Sequence, residues 1–203
     1  SYFSEQFADL KVLRYQIPGF ENLSLDQKKL VYYLTEAGLN GRDIMYDQNY
    51  RHNLKIRRAL ENIHISYQGD KNNNQWKAFE IYLKRIWFSN GIHHHYSNDK
   101  FIPGFSYEYL QELLDETNIK LEKEAFNVIF NIEDGKKVNR DATKGIVKGS
   151  AVNFYDPDIT EKEVDTFYEN LLVPNPKKPI SLGLNSKLVR VNGEVEEKVW
   201  KKG

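Results

Sequence analysis

Trp87-Phe88-Ser89-Asn90-Gly91-Ile92-His93-His94-His95-Tyr96-Ser97-Asn98-Asp99-Lys100-Phe101-Ile102-Pro103 separates two helical patterns. It packs three imidazoles, a phenol, two amide turn-formers and a glycine into one connection. No other stretch of the chain has that density of groups able to bind a ligand or exchange protons. Upstream, residues 76–88 carry Trp76, Phe79, Ile81, Tyr82, Leu83, Ile86 and Trp87 nearly all round, which predicts a helix buried on most sides. Asn90-Gly91 ends it. Downstream, Pro103-Gly104 resets the chain and Ser106 caps a helix over 107–115.

The remaining pattern is also mostly helical. Phe3, Phe7 and Leu10 give residues 3–13 one apolar side and read as a short amphipathic segment, broken by Pro18-Gly19. Ser24 caps a helix over 25–39, with Gly38, Asn40 and Gly41 as stop signals. Positive φ is the expected reason for Gly41. Residues 42–67 read as one helix, and 120–130 as another. Residues 133–150 are rich in Lys, Gly, Asn and Asp and read as an exposed loop or irregular strands, and 151–155 as a strand. Thr160-Glu161-Lys162-Glu163 is a capping box opening a helix to Leu171. Pro174-Asn175-Pro176-Lys177-Lys178-Pro179 stops it. Asn192-Gly193 between two alternating runs is the signal for a β-hairpin on a type I′ turn. The expected fold is therefore mainly α (α+β). Helices span about 1–130 and 160–171, followed by a C-terminal hairpin. A lone hairpin is marginal in water, so it should join a larger sheet.

The chain has 203 residues, 40 % of them apolar and 13 % aromatic, enough for a real core. Lys+Arg and Asp+Glu both number 29. That balance leaves no electrostatic footprint for nucleic acid or an anionic membrane surface. No apolar run approaches the roughly 20 residues of a membrane span. With no cysteine there is no disulfide, no thiolate nucleophile and no Cys-ligated zinc. Compartment stays open between cytoplasm and periplasm, since no leader is visible and absence of cysteine fits both. The ending Val199-Trp200-Lys201-Lys202-Gly203 reads as a cut inside a longer protein.

Three readings are open to the run His93-His94-His95. A zinc-protease helix needs two His at i, i+4 around a Glu, which is absent. In an extended connection His93 and His95 point one way and His94 the other, so a His-x-His pair would need a distant third ligand. Hydrogen-bonding core-edge histidines and substrate-facing histidines in a cleft are the other two readings. His52 and His64 read as packing or surface residues. Gly145-Ile146-Val147-Lys148-Gly149-Ser150 lacks the spacing of a phosphate loop and reads as surface loop.

Three stretches together resemble the N-terminal part of the dipeptidyl peptidase III family of zinc exopeptidases, in its Bacteroides-type branch. They are 25–37, 41–49 and, most strongly, 89–103, where Ser89-Asn90, Lys100-Phe101 and Pro103 stand at the spacing of a family pattern. Histidines replace several of its other residues. The resemblance covers most of the chain and thins between 133 and 150. It implies that residues 1–203 form the first part of a lower lobe, helical over 1–132 and loop with mixed α/β over 133–203, whose C-terminal hairpin joins a β-barrel. It implies a parent enzyme that releases dipeptides from the N-terminus of short peptides. Zinc would be bound outside this chain, which would be inactive alone. The partners implied are a peptide substrate and the remaining catalytic lobe of the same polypeptide. Tyr96 stands where the family has a ring that packs on substrate. The resemblance implies that 90–96 lines the cleft, with Tyr96, His95, Asn90 and Gly91 as substrate-binding residues; His95 stands beside the ring, and Asn90-Gly91 also sets how the loop leaves its helix. No catalytic or metal residue is expected within 1–203. A self-standing helical peptide-binding or interaction module is the alternative. An open strand edge over 188–199 would invite dimerisation.

Overall fold

The structure is a computed structural model describing residues 2–171, 177 and 182–200. Its chain order is β1 (Phe3–Phe7), β2 (Leu10–Leu13), α1 (Leu25–Asn40), α2 (Arg42–Asn49), α3 (Asn53–Ser66), α4 (Asn74–Ser89), α5 (Tyr107–Thr117), α6 (Lys123–Phe130), the single turn α7 (Ile146–Gly149), α8 (Glu161–Glu169), β3 (Ser186–Val191) and β4 (Glu194–Val199). The fold is mainly α with two separate two-stranded antiparallel sheets. The Pro-rich segment 174–179 falls mostly outside the described residues.

Helix starts follow the caps in the sequence. Ser24 accepts from the Gln27 N–H while Gln27 returns a bond to the Ser24 N–H. Thr160 and Glu163 do the same for α8, and Ser106 accepts from Tyr109 for α5. α4 begins two residues before its predicted start, because Asn73 accepts from the Trp76 N–H at 2.8 Å. At the other end of the chain, Asn192 (φ 52°) and Gly193 (φ 89°) form the two-residue turn of β3–β4, as their sequence requires.

Four expectations are corrected. Residues 3–13 are a β-hairpin, not a helical segment, turning at Ala8 (φ 47°) with Phe7 opposite Leu10. A four-residue apolar spacing such as Phe3 to Phe7 satisfies both the helical period and the strand period, so it could not discriminate. Residues 42–67 are two helices, broken at Tyr50, which is extended (φ −170°). Gly41 has φ −80° and needs no left-handed freedom. Residues 151–155 form no strand; Tyr155 makes one isolated parallel bridge to Leu188.

The main core lies among α2 to α6, with α3 packed against α2, α4, α5 and α6. It contains Ile56, Leu60 and Ile63 of α3, Trp76, Phe79, Leu83 and Ile86 of α4, and Leu110, Leu113, Phe126 and Ile129 beyond. Ile92 and Phe101, at the two shoulders of the histidine loop, belong to the same core. α4 is less enclosed than its composition suggests, since Ile81, Trp87 and Phe88 are exposed. A second small core joins Ile159, Val164 and Leu188 under α8 and β3. Asn153 ties the two regions, its N–H donating to the Gln48 carbonyl at 2.8 Å and its side chain to Asp47.

Two surfaces stay open. No residue of α1 is buried, and Leu25, Leu30, Val31, Tyr32, Tyr33, Leu34 and Leu39 are all exposed. The outer edge of β3 is covered by Phe154 and Asp156, which exchange bonds with Leu188. The outer edge of β4 carries Glu194, Glu196, Glu197 and Lys198, charges of the kind that blunt strand pairing. Among the described residues no helix is long and apolar enough to cross a membrane.

Because α1 contributes nothing to the core, Leu30→Ser and Leu34→Ser should each change the chain's stability by no more than about 0.5 kcal/mol. Phe79→Ala should cost about 3–5 kcal/mol. Denaturant titration of the three variants checks this; a loss near the Phe79 value at Leu34 would mean that α1 packs.

Candidate functional site

Helix α4 ends because Asn90 turns left-handed (φ 52°) and Gly91 takes φ 144°. Both backbone N–H groups reach back to the Ile86 carbonyl. The Asn90 carbonyl accepts from the Asn49 side chain at 3.0 Å. A side chain on Gly91 has no room, since its Cβ would lie 2.1 Å from Nδ2 of Asn53. Asn53 is fully buried, and its amide donates to the Tyr46 carbonyl (3.0 Å) and accepts from the Ile92 N–H (3.1 Å). The exit of the loop is thereby stitched to the junction between α2 and α3.

From there the chain forms a narrow hairpin. His93 bridges Lys100, the Phe101 N–H donates to Ile92 O (2.8 Å), and the His94 N–H donates to Asp99 O (2.7 Å). Asn98, left-handed at φ 63°, closes the tip. The Asn98 carbonyl accepts from the Lys137 N–H at 2.8 Å, so the following loop braces it from below.

The three imidazoles divide differently from strict alternation. His93 is buried, 1 % exposed, with Nε2 donating to the Gly135 carbonyl at 3.1 Å and its ring edge-on to Tyr50. The chain turns at His94, so His94 and His95 do not part: their rings stack at 4.5 Å. His95 is exposed, beside Phe88 and Tyr96, and its Nδ1 is 3.5 Å from the Ser89 hydroxyl. Tyr96 is 85 % exposed at the tip. Thus the structure brings His95 and Tyr96 together on an aromatic surface with Phe88. Asn90 and Gly91 lie at the loop's root, and buried Gly91 offers no surface to a ligand.

The electrostatics separate the same groups. Burial holds the His93 imidazole neutral, down to about 4, against the Gly135 carbonyl and Asp134, which favour charge. His52 is lowered by burial and by Arg51, and His95 by partial burial and by His94 and Lys137. Lys100, its side chain 4 % exposed, donates to the carbonyls of Val128 and Asn131 and lies 3.7 Å from Asp134. Burial lowers its ammonium and Asp134 opposes the shift. That ammonium therefore seals the C-terminal end of α6, where cations are favoured. The Tyr50 hydroxyl donates to the same Asp134 carboxylate at 2.9 Å.

Two features had no signal in the sequence. Asn53 lies 39 residues before the Ile92 N–H it accepts from, with no motif around it. A polar cavity of about 510 Å³ opens behind the brace, lined by Tyr50, Arg51, Asp134, Gly135, Lys144, Lys148, Asn153 and Asp156. Its Ser150 hydroxyl already accepts from the Asn139 N–H.

The residues do not fit a zinc ion. No group of three His, Asp or Glu converges among the described residues. His93 spends Nε2 on Gly135, and His94 spends Nδ1 on two backbone amides. Comparison with protein-family models and with curated proteins finds no match.

Two outcomes follow from the root of the loop. Gly91→Ala should cost about 2–4 kcal/mol, from a strained φ and displacement of the buried Asn53 bonds. In an Asn53→Ala background the same change should cost less, because the obstructing amide is gone; additive costs in a double-mutant cycle would contradict the clamp. For His93, the unfolded state binds the proton more readily, so stability falls as pH drops from 6.5 toward about 4, by at most about 3 kcal/mol. His93→Phe should flatten that limb in urea titrations across pH; an unchanged limb would assign the loss elsewhere.

Proposed function

We propose that this chain is the N-terminal, lower-lobe part of a dipeptidyl peptidase III-like zinc exopeptidase, and that it supplies cleft wall and peptide binding. The observation carrying this reading is the histidine loop itself. Its root is fixed in the core through Asn53, Ile92 and Phe101, while Tyr96 and His95 are presented outward. A rigid base under an exposed ring and imidazole suits a surface that holds a peptide. Tyr96 packs on the peptide and His95 hydrogen-bonds it. Asn90 and Gly91 act through the backbone they shape, rather than by touching it.

The open surfaces support the same reading. The exposed apolar side chains of α1 form a patch of the kind that marks an interface. The remaining catalytic lobe of the same polypeptide is the partner the reading requires. Two hairpins, each marginal as an isolated pair, suit incorporation into one β-barrel. The zinc and the hydrolytic step belong to that other lobe. The closed core of α2 to α6 favours a second reading, a self-standing helical peptide-binding module. A His-Glu-x-x-Gly-His sequence in the reading frame after Gly203 separates the two.

The chain alone, with zinc added, should not cleave dipeptidyl-arylamides, whereas the parent protein should; cleavage by the chain alone would sink the proposal. In the parent, Tyr96→Ala should raise KM by about 2- to 10-fold, the worth of one aromatic contact, with kcat little changed. An unaltered KM would remove Tyr96 from the site.

A further inference from the structure

The turn that carries Tyr96 is built on an imidazole. Nδ1 of His94 accepts the backbone N–H of Tyr96 and that of Ser97, both at 3.1 Å. Acceptance from residues two and three along the chain is the geometry of an Asx turn, where an Asn or Asp oxygen does the accepting. An Asn or Asp oxygen in that place keeps its lone pairs whatever the pH near neutrality. An imidazole nitrogen does not. Only the neutral ring with its hydrogen on Nε2 can accept at Nδ1. A proton on Nδ1 would point at two N–H groups, so both bonds would be lost and replaced by repulsion.

We infer that His94 is a positioning residue whose neutral ring holds the 94–97 turn, and with it the Tyr96 ring and the His95 imidazole, in the presented geometry. The loop tip is then a proton-operated element: formed when His94 is neutral, released when it is charged. The substrate side of this inference rests on the peptide-binding reading above; the turn itself does not.

Groups of both charges surround His94. Asp9, in the turn between β1 and β2, lies 3.9 Å from Nε2 and is itself paired with Arg85 of α4 at 3.1 Å. Asp99 accepts the His94 N–H through its carbonyl, and its carboxylate pairs with Lys136 at 2.9 Å. Lys137, which acts on His95, and the stacked His95 ring are the other charged or titratable groups beside it. Two charged rings stacked at 4.5 Å would repel, so releasing the turn also relieves that contact. The shoulders of the loop are untouched by this change, since Ile92 and Phe101 stay in the core and His93 has its own partner in Gly135.

The test reads the turn directly, in the chain without peptide. Nitrogen-detected spectra of the imidazoles should show His94 as the Nε2–H form at about pH 8. Amide protection at Tyr96 and Ser97 should fall about tenfold, the worth of one or two ordinary hydrogen bonds, as pH drops to about 5 across the range where histidine charges. His94→Asn places an oxygen at the same reach and cannot be protonated there, so protection should persist across that range. His94→Gln places its acceptor one bond too far, so protection should be lost throughout, with far-ultraviolet dichroism showing that the helices remain. Protection that ignores pH in the unaltered chain, or that survives in His94→Gln, overturns the inference. In the parent protein, KM for a dipeptidyl-arylamide should rise several-fold toward low pH for the native residue and rise less in His94→Asn, where only His95 still titrates at the tip. If the turn titrates and peptide affinity ignores it, the substrate side of the inference falls with Tyr96's proposed role, while the turn's proton dependence stands.

Discussion

One buried side chain connects the parts on which the histidine loop depends. The Asn53 amide satisfies a carbonyl at the end of α2 and an N–H at the start of the loop, inside a region closed to water. The Tyr46 carbonyl also accepts the Tyr50 N–H at 3.2 Å, but the Ile92 N–H would otherwise be buried without a partner, at a cost of about 1–3 kcal/mol. The bond also dictates what may stand opposite. Gly91 must lack a side chain because the amide occupies that space. The glycine at the end of α4 and the course of the loop are thus two consequences of one placement. Tyr50 interrupts what would otherwise read as a single helix through contacts of its own. Its ring is buried between His52 and His93 and its hydroxyl reaches Asp134, an arrangement made with the chain extended at that residue.

Around that clamp the loop is stratified by burial. Ile92, His93 and Phe101 are inside, Lys100 is sealed among carbonyls, and His94 lies at the boundary. His95 and Tyr96 are outside. Bonds in the lower layer join segments far apart in sequence, so they open only when the core does. Bonds at the tip join neighbours and can be lost alone. A loop assembled this way localises motion to 94–98 without loosening its attachment.

Local chemistry was what the sequence expressed clearly. Ser24, Thr160 and Ser106 cap helices because their hydroxyls meet the orphan N–H groups three residues on, and Asn192-Gly193 turns a hairpin because both positions need positive φ. Each of these is decided within four residues. The hairpin at 3–13 was missed because Phe3, Phe7 and Leu10 fit a helix turn as well as a strand face. The split at Tyr50 was missed because its cause, Asp134, lies 84 residues away. For the site, the density of functional groups at 89–103 was visible. The division of labour among the histidines was not. Alternation of side chains holds only while the backbone stays extended, and it turns at His94. Asn53 carries no signature at all, since an Asn at a helix start ordinarily reads as a cap.

The same contrast bears on what surrounds the chain. The helical body buries a continuous apolar core with α3 at its centre. α1 adds nothing to it. A helix of 16 residues with no buried residue keeps its shape through its cap and its backbone bonds, which is little on its own. Its leucines and tyrosines are then unexplained by the stability of this body. Exposed apolar side chains at this density are ordinarily covered.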